Sequence, residues 1–151
     1  MRPSTEIALI ALHELVPQIL EEMFFAEAEA IDDVFDWSAN NAIFSRISLH
    51  EPLEADLIVS VPTDLAHEFS ETLTSDIKSG DSQLKDIVGE LLNTLAGRLQ
   101  VALARDDEAC AVGLPETTKA SNFILDEAAF HQTFAANELT LGVALAPKRS
   151  A

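Results

Sequence analysis

Five residues stand out for the chemistry that their types and spacing allow: Asp86, Glu90, Asn93, Gly97 and Gln100. Wound at about 100° per residue, they fall within an arc of roughly 80° on one side of a helix. The line reads acid, acid, amide, no side chain, amide. Carboxylates accept hydrogen bonds, and a carboxamide both donates and accepts. Such a row suits docking against a second surface. A polar stripe is most often only a solvated face, but two members argue otherwise. Solvated faces favour Lys, Glu, Gln, Arg and Ala, which lose little helix propensity. Asn93 and Gly97 both lose it, Gly97 by about 1 kcal/mol relative to Ala. Gly97 also removes bulk one turn beyond Asn93, so that another surface can approach closely.

The element that must carry the stripe is a helix over Asp81 to Ala104. Leu84, Ile87, Val88, Leu91, Leu92, Leu95 and Leu99 recur at three- and four-residue spacing on the opposite side. Asp81 or Ser82 is the expected N-cap, accepting from the free first-turn amides. The apolar pattern stops at Arg105-Asp106-Asp107-Glu108.

Asp86-x-x-x-Glu90-x-x-Asn93, followed by Ala96-Gly97, resembles the signature helix of the CheC/CheX/FliY phosphatases, which act on phosphorylated CheY-type receiver domains. Pro115 matches the proline that this family carries well downstream. The flanking pattern is similar to the single-domain CheX layout over roughly Leu9 to Leu145. The resemblance implies a CheX-like α/β fold, with long helices packed on an antiparallel-rich sheet, as one domain over 1–151. It implies an aspartyl-phosphate phosphatase with no cofactor of its own, the Mg²⁺ belonging to the receiver. Asn93 would orient a water in line with phosphorus, and Glu90 would pair with the receiver's active-site lysine. Asp86, Gly97 and Gln100 would line the partner-binding face. The family's two-site members carry a second Glu-x-x-Asn in the first helix. Its counterpart here is Glu14-Leu15-Val16-Pro17, where proline replaces the amide and no working second site is expected. The alternative functions are a non-catalytic receiver-binding module and a dimerisation module whose stripe is ordinary surface.

The remaining elements follow from the chain in order. A first helix starts after Ser4 and runs to about Phe25, with Pro17 expected to kink or divide it. Ala26 to Asn41 reads as a solvated connector, with Val34 and Trp37 pinned to the core. Ala42–His50 and Ala55–Val61 read as strands; Pro62 ends the second and fits the first turn of a helix over about Thr63 to Thr74. Residues 75–82 hold a loop. Ala109–Leu114 and Asn122–Leu125 read as strands around a polar loop at Glu116–Ser121. Asp126 to Asn137 suits either a short helix or a strand pair. Glu138–Ala146 is the clearest strand, with Leu139, Leu141, Val143 and Leu145 on one face. The resemblance to single-domain CheX proteins implies a homodimer joined through sheet edges, and an apolar edge such as Leu139 to Leu145 would need such covering.

Composition narrows the function classes. The chain has 151 residues, 48% of them hydrophobic, enough for one core without staples. A formal charge of −17 disfavours nucleic acid and anionic membranes as partners. No stretch is long enough for a signal peptide or a span, so the cytoplasm is expected. Cys110 is the only cysteine, which rules out an internal disulfide and a thiolate cluster, and its apolar neighbours suggest a core position. Asp32, Asp33 and Asp36 lack the glycine and closing Glu of a calcium loop. His13, His50, His67 and His131 are scattered, and no H-x-x-x-H pair, P-loop or G-x-S-x-G elbow is present.

Overall fold

The leucine face of the long helix needs an apolar partner, and a sheet with matching alternation supplies it. The computed structural model describes residues 3–74, 80–119 and 123–148. In chain order the elements are α1 (Thr5–Phe24), β1 (Ala28–Ile31), β2 (Ala42–Glu51), β3 (Ala55–Pro62), α2 (Thr63–Thr74), α3 (Asp81–Leu103), β4 (Ala111–Val112), β5 (Glu116–Thr118), β6 (Phe130–Ala136) and β7 (Leu139–Ala146). The sheet runs β1-β6-β7-β3-β2-β4, with β5 also paired to β2. All of these pairings are antiparallel. This is the expected α/β fold of helices on an antiparallel sheet.

One sheet face packs on the helices. Ile43, Ile47 and Leu49 of β2, Leu57, Val59 and Val61 of β3, and Leu141, Val143 and Leu145 of β7 meet Leu84, Leu91, Leu92, Leu95 and Leu99 of α3. The period-two and period-3.6 patterns therefore close on one core. The seven aliphatics of the predicted apolar face of α3, Leu84 to Leu99, are all buried, whereas Val101 near its end is exposed. At about 1.5–3 kcal/mol each, burial of the seven far outweighs the roughly 1 kcal/mol that each helical glycine costs. Phe24 of α1 stacks on Phe69 of α2 at a centroid distance of 4.2 Å. The other sheet face is covered by Phe35, Trp37 and Phe123 against Phe44, Ile58 and Ala144. Gly142 makes room for this cover, since a Cβ there would lie 2.6 Å from the Phe35 ring.

Several local expectations are corrected. Helix α1 is continuous through Pro17 rather than divided. Proline removes one backbone donor, and the buried Leu12, Val16, Ile19 and Leu20 on either side hold the turn in place. Pro62 ends β3 as expected, but it is the last residue of the strand and not part of the first turn of α2, which starts at Thr63. The N-cap of α3 is Gly80 with no side-chain cap bond, not Asp81 or Ser82. Asp81 lies inside the first turn, where its carboxylate sits 3.6 Å from Lys119 Nζ. The Ala26–Asn41 connector contains β1, and while Trp37 is buried, Val34 is 94% exposed. The strand at Ala109–Leu114 shrinks to β4, and the expected loop after it forms β5 by pairing with β2. Residues 123–125 form no strand; Phe123 and Leu125 pack on the far sheet face instead. Asp126–Asn137 resolves as β6 with no helix. Cys110 is exposed, because the chain reaches the sheet only at Ala111. Strand β7 lies between β6 and β3, so Leu139–Leu145 is not an edge. Much of the expected loop at 75–82, together with residues 120–122, lies outside the described residues.

Candidate functional site

The outward side of α3 carries Asp86, Glu90 and Asn93, all exposed. Their side chains make no hydrogen bond or ion pair among the described residues. Glu90 and Asn93 stand one turn apart, with Cβ atoms about 5–6 Å from each other. They project from a helix whose opposite face is anchored in the core, so the polar row is held rigidly. Asp86 and Glu90 are like charges at i and i+4, an arrangement that slightly destabilises a helix on its own. A cation brought from outside would relieve it.

A groove of about 740 Å³ runs along this row. Its helical wall includes Asp86, Glu90 and Asn93, and its opposite wall is Leu114, Pro115 and Thr117. The opposite wall is set by the sheet. Gly113 N–H donates to Ser48 O at 2.7 Å, and the hydroxyls of Ser45 and Thr117 bond at 2.7 Å. Gly89 permits the close approach of this wall to α3. A Cβ at Gly89 would lie 3.1 Å from Thr117 Oγ1 and 3.9 Å from Pro115 Cγ. Pro115, expected from the motif alone, thus stands directly beside the helix.

Asp86 and Glu90 also border a second groove, of about 460 Å³, with Met23, Leu73 and Ile87. The two carboxylates therefore form a ridge between two depressions. At the border of that groove Glu22 pairs with Arg98, whose guanidinium lowers the Glu22 carboxyl below its ordinary range.

The structure separates the five stripe residues. Asp86, Glu90 and Asn93 stand together on the groove. Gly97 is half-buried, and a Cβ there would meet nothing within 4 Å, so no contact inside the chain requires glycine at this position. Gln100 is corrected outright: it is fully buried and faces no partner. Leu53 N–H donates to its Oε1 at 3.0 Å, and its Nε2 donates to Leu53 O at 2.8 Å and to Ala111 O at 3.4 Å. The β2–β3 turn folds over this end of the helix and takes the amide into the interior. Glu14 is exposed on α1 and lies apart from the groove. Leu114, Thr117, Gly89 and Lys85 belong to the groove and were not singled out as site residues from the sequence. Their one signal was the Gly113-Leu114-Pro115 run near the motif proline.

No curated protein matches the chain in sequence. Solved structures match it closely in fold. CheX from Vibrio vulnificus aligns with a TM-score of 0.75 at 14% identity, covering 97% of each chain. A CheC-like superfamily protein from Shewanella sp. PV-4 aligns at 0.75 and 16% identity, over 91% of this chain and 95% of that one. The CheX–CheY–BeF3–Mg²⁺ complex from Borrelia burgdorferi aligns at 0.67 and 12% identity, over 98% and 100%. At these identities the likeness is one of fold. The family model described as "Chemotaxis phosphatase CheX" matches residues 43–136, a span that takes in α3 with its acid–amide row and Pro115, and the chain accordingly belongs to the CheX family.

Proposed function

We propose that this protein accelerates hydrolysis of the aspartyl phosphate on a CheY-type receiver domain, with Asn93 and Glu90 as the catalytic pair. The observation that carries this reading is the unpartnered Glu90 and Asn93 on a rigid helix face beside the Leu114–Pro115 wall. Membership of the CheX family supports the reaction, and a relative solved with CheY, BeF3 and Mg²⁺ supports the partner. In the reaction the Asn93 amide holds a water in line with phosphorus, its carbonyl accepting and its NH₂ donating. The water oxygen bonds to phosphorus, the bond from phosphorus to the aspartyl oxygen breaks, and the products are phosphate and the free carboxylate. Glu90 forms a charge-assisted bond to the receiver's lysine and fixes the register. Asp86 adds negative charge one turn away, and Gly97 lets the partner approach. Positioning carries most of the effect. Among the described residues no three or more His, Cys, Asp or Glu side chains converge; the Mg²⁺ of this reaction is the receiver's.

The test is phosphate release from a phosphorylated receiver, with affinity measured on a beryllofluoride-loaded one. Asn93→Ala should lose the acceleration and keep most of the affinity, since one neutral hydrogen bond contributes about 0.5–1.5 kcal/mol. Glu90→Ala should weaken both, by about 1.5–3 kcal/mol for a bond to a charged group. Full activity in Asn93→Ala would remove the role assigned to it. If the wild type also left release unaccelerated, the chain would be a binding module.

The working form in this reading is a homodimer in the cytoplasm. Since β7 is internal, pairing uses a true edge. The β4–β5 edge borders the groove, which leaves β1 with its open backbone groups as the joining strand. Sedimentation as a monomer at high protein concentration would rule this out. Among the described residues no helix is long and apolar enough to cross a membrane.

A further inference from the structure

Leu114 is 86% exposed and forms the apolar part of the groove wall facing Asn93. Single exposed leucines are common and by themselves mean little. This one differs in where it stands and how firmly it is held. On its N-terminal side, Val112 pairs with Leu49 and Gly113 N–H bonds to Ser48 O. On its C-terminal side, Pro115 restricts the backbone, and Glu116–Thr118 pair with Phe44–Arg46. The backbone on both sides of the residue is thus ordered before any partner arrives. An apolar side chain presented in this way loses little further entropy on docking. Any macromolecule that reaches Asn93 through the groove must also pass over Leu114.

We infer that Leu114 is the apolar anchor of the receiver-docking surface. This rests on the phosphatase reading of the groove above. The anionic ridge of Asp86 and Glu90 pairs with the receiver's cation and fixes orientation. Leu114 supplies the desolvated contact on the other side, against an apolar side chain at the rim of the receiver's phosphorylation pocket. The occupant is the receiver because the wall is continuous with the row that carries Glu90 and Asn93.

The experiment uses the full chain as wild type, Leu114→Ala, Leu114→Met and Val34→Ala. Val34 is just as exposed, but it follows β1 at the opposite end of the sheet. Phosphate release is measured on phosphorylated CheY-type receivers of the same organism, and binding on the same receivers loaded with beryllofluoride and Mg²⁺. Leu114→Ala should raise KM and Kd about tenfold, with kcat unchanged. Leu114→Met should restore most of the affinity, and Val34→Ala should match wild type. Wild-type KM and Kd in Leu114→Ala would overturn the anchor and leave the phosphatase reading standing. Leu114-dependent binding without accelerated release would remove the phosphatase reading and keep the anchor. Loss of dimerisation in Leu114→Ala, with receiver binding intact, would overturn the anchor by assigning the residue to a second copy of the chain.

Discussion

Replacing Gln100 with alanine should be among the most damaging changes on α3, although helical spacing places it in line with the reactive row. Its amide satisfies both backbone groups of Leu53, which is buried in the β2–β3 turn, and reaches Ala111 O at the start of β4. Truncation leaves the Leu53 N–H and carbonyl unpartnered, at about 1–3 kcal/mol each. Glu51 and Glu54 on either side are exposed, so water reaches the turn and the lower part of that range applies. The expected loss is about 2–4 kcal/mol, or roughly 5–15 °C in Tm for a chain of this size. Thermal melts followed by circular dichroism measure it. Gln100→Glu provides a check with a definite sign. One oxygen can still accept from Leu53 N–H, but the other faces the Leu53 carbonyl and must carry a proton to bond it. Burial and that carbonyl favour the neutral acid, which raises the folded-state pKa above the unfolded value of about 4.3. The variant should therefore be most stable at acid pH and lose stability as pH rises through the raised value. A Gln100→Ala protein melting within about 2 °C of wild type would refute the accounting. So would a Gln100→Glu protein with no more pH dependence than wild type.

The two glycines of α3 should differ in stability, though replacing either should weaken engagement of the receiver. Gly97→Ala meets open space in the chain, so it should raise stability by about 0.8–1 kcal/mol through helix propensity while weakening receiver affinity, read from paired melts and binding titrations. Gly89→Ala places a methyl 3.1 Å from Thr117 Oγ1, so it should displace β5 or its hydroxyl pair with Ser45, cancel the propensity gain, and raise KM by shifting the Leu114–Pro115 wall.

The sequence by itself determined the elements whose signal is local and periodic. Helix α3, with its leucine face and opposite polar row, was legible because 3.6-residue spacing sets both faces without reference to anything else. Strands β2, β3 and β7 were legible because alternation at period two needs no partner to be seen. Asp86, Glu90, Asn93 and Pro115 were legible as a motif, and the structure gathers all four on one groove. What tertiary structure alone decided is which surfaces end up covered. Gln100 shares its helix face with Asn93, yet the β2–β3 turn, nearly fifty residues earlier in the chain, closes over it. β7 reads as an apolar edge until β6 and β3 flank it. β4 and β5 are too short to show a period and exist because β2 offers them its free side. Leu114 has the composition of a core residue, but the strands on either side of it hold it out into the groove. Helical and strand periodicity assign faces, whereas burial depends on pairings between distant segments, and single-chain periodicity carries no information about those pairings.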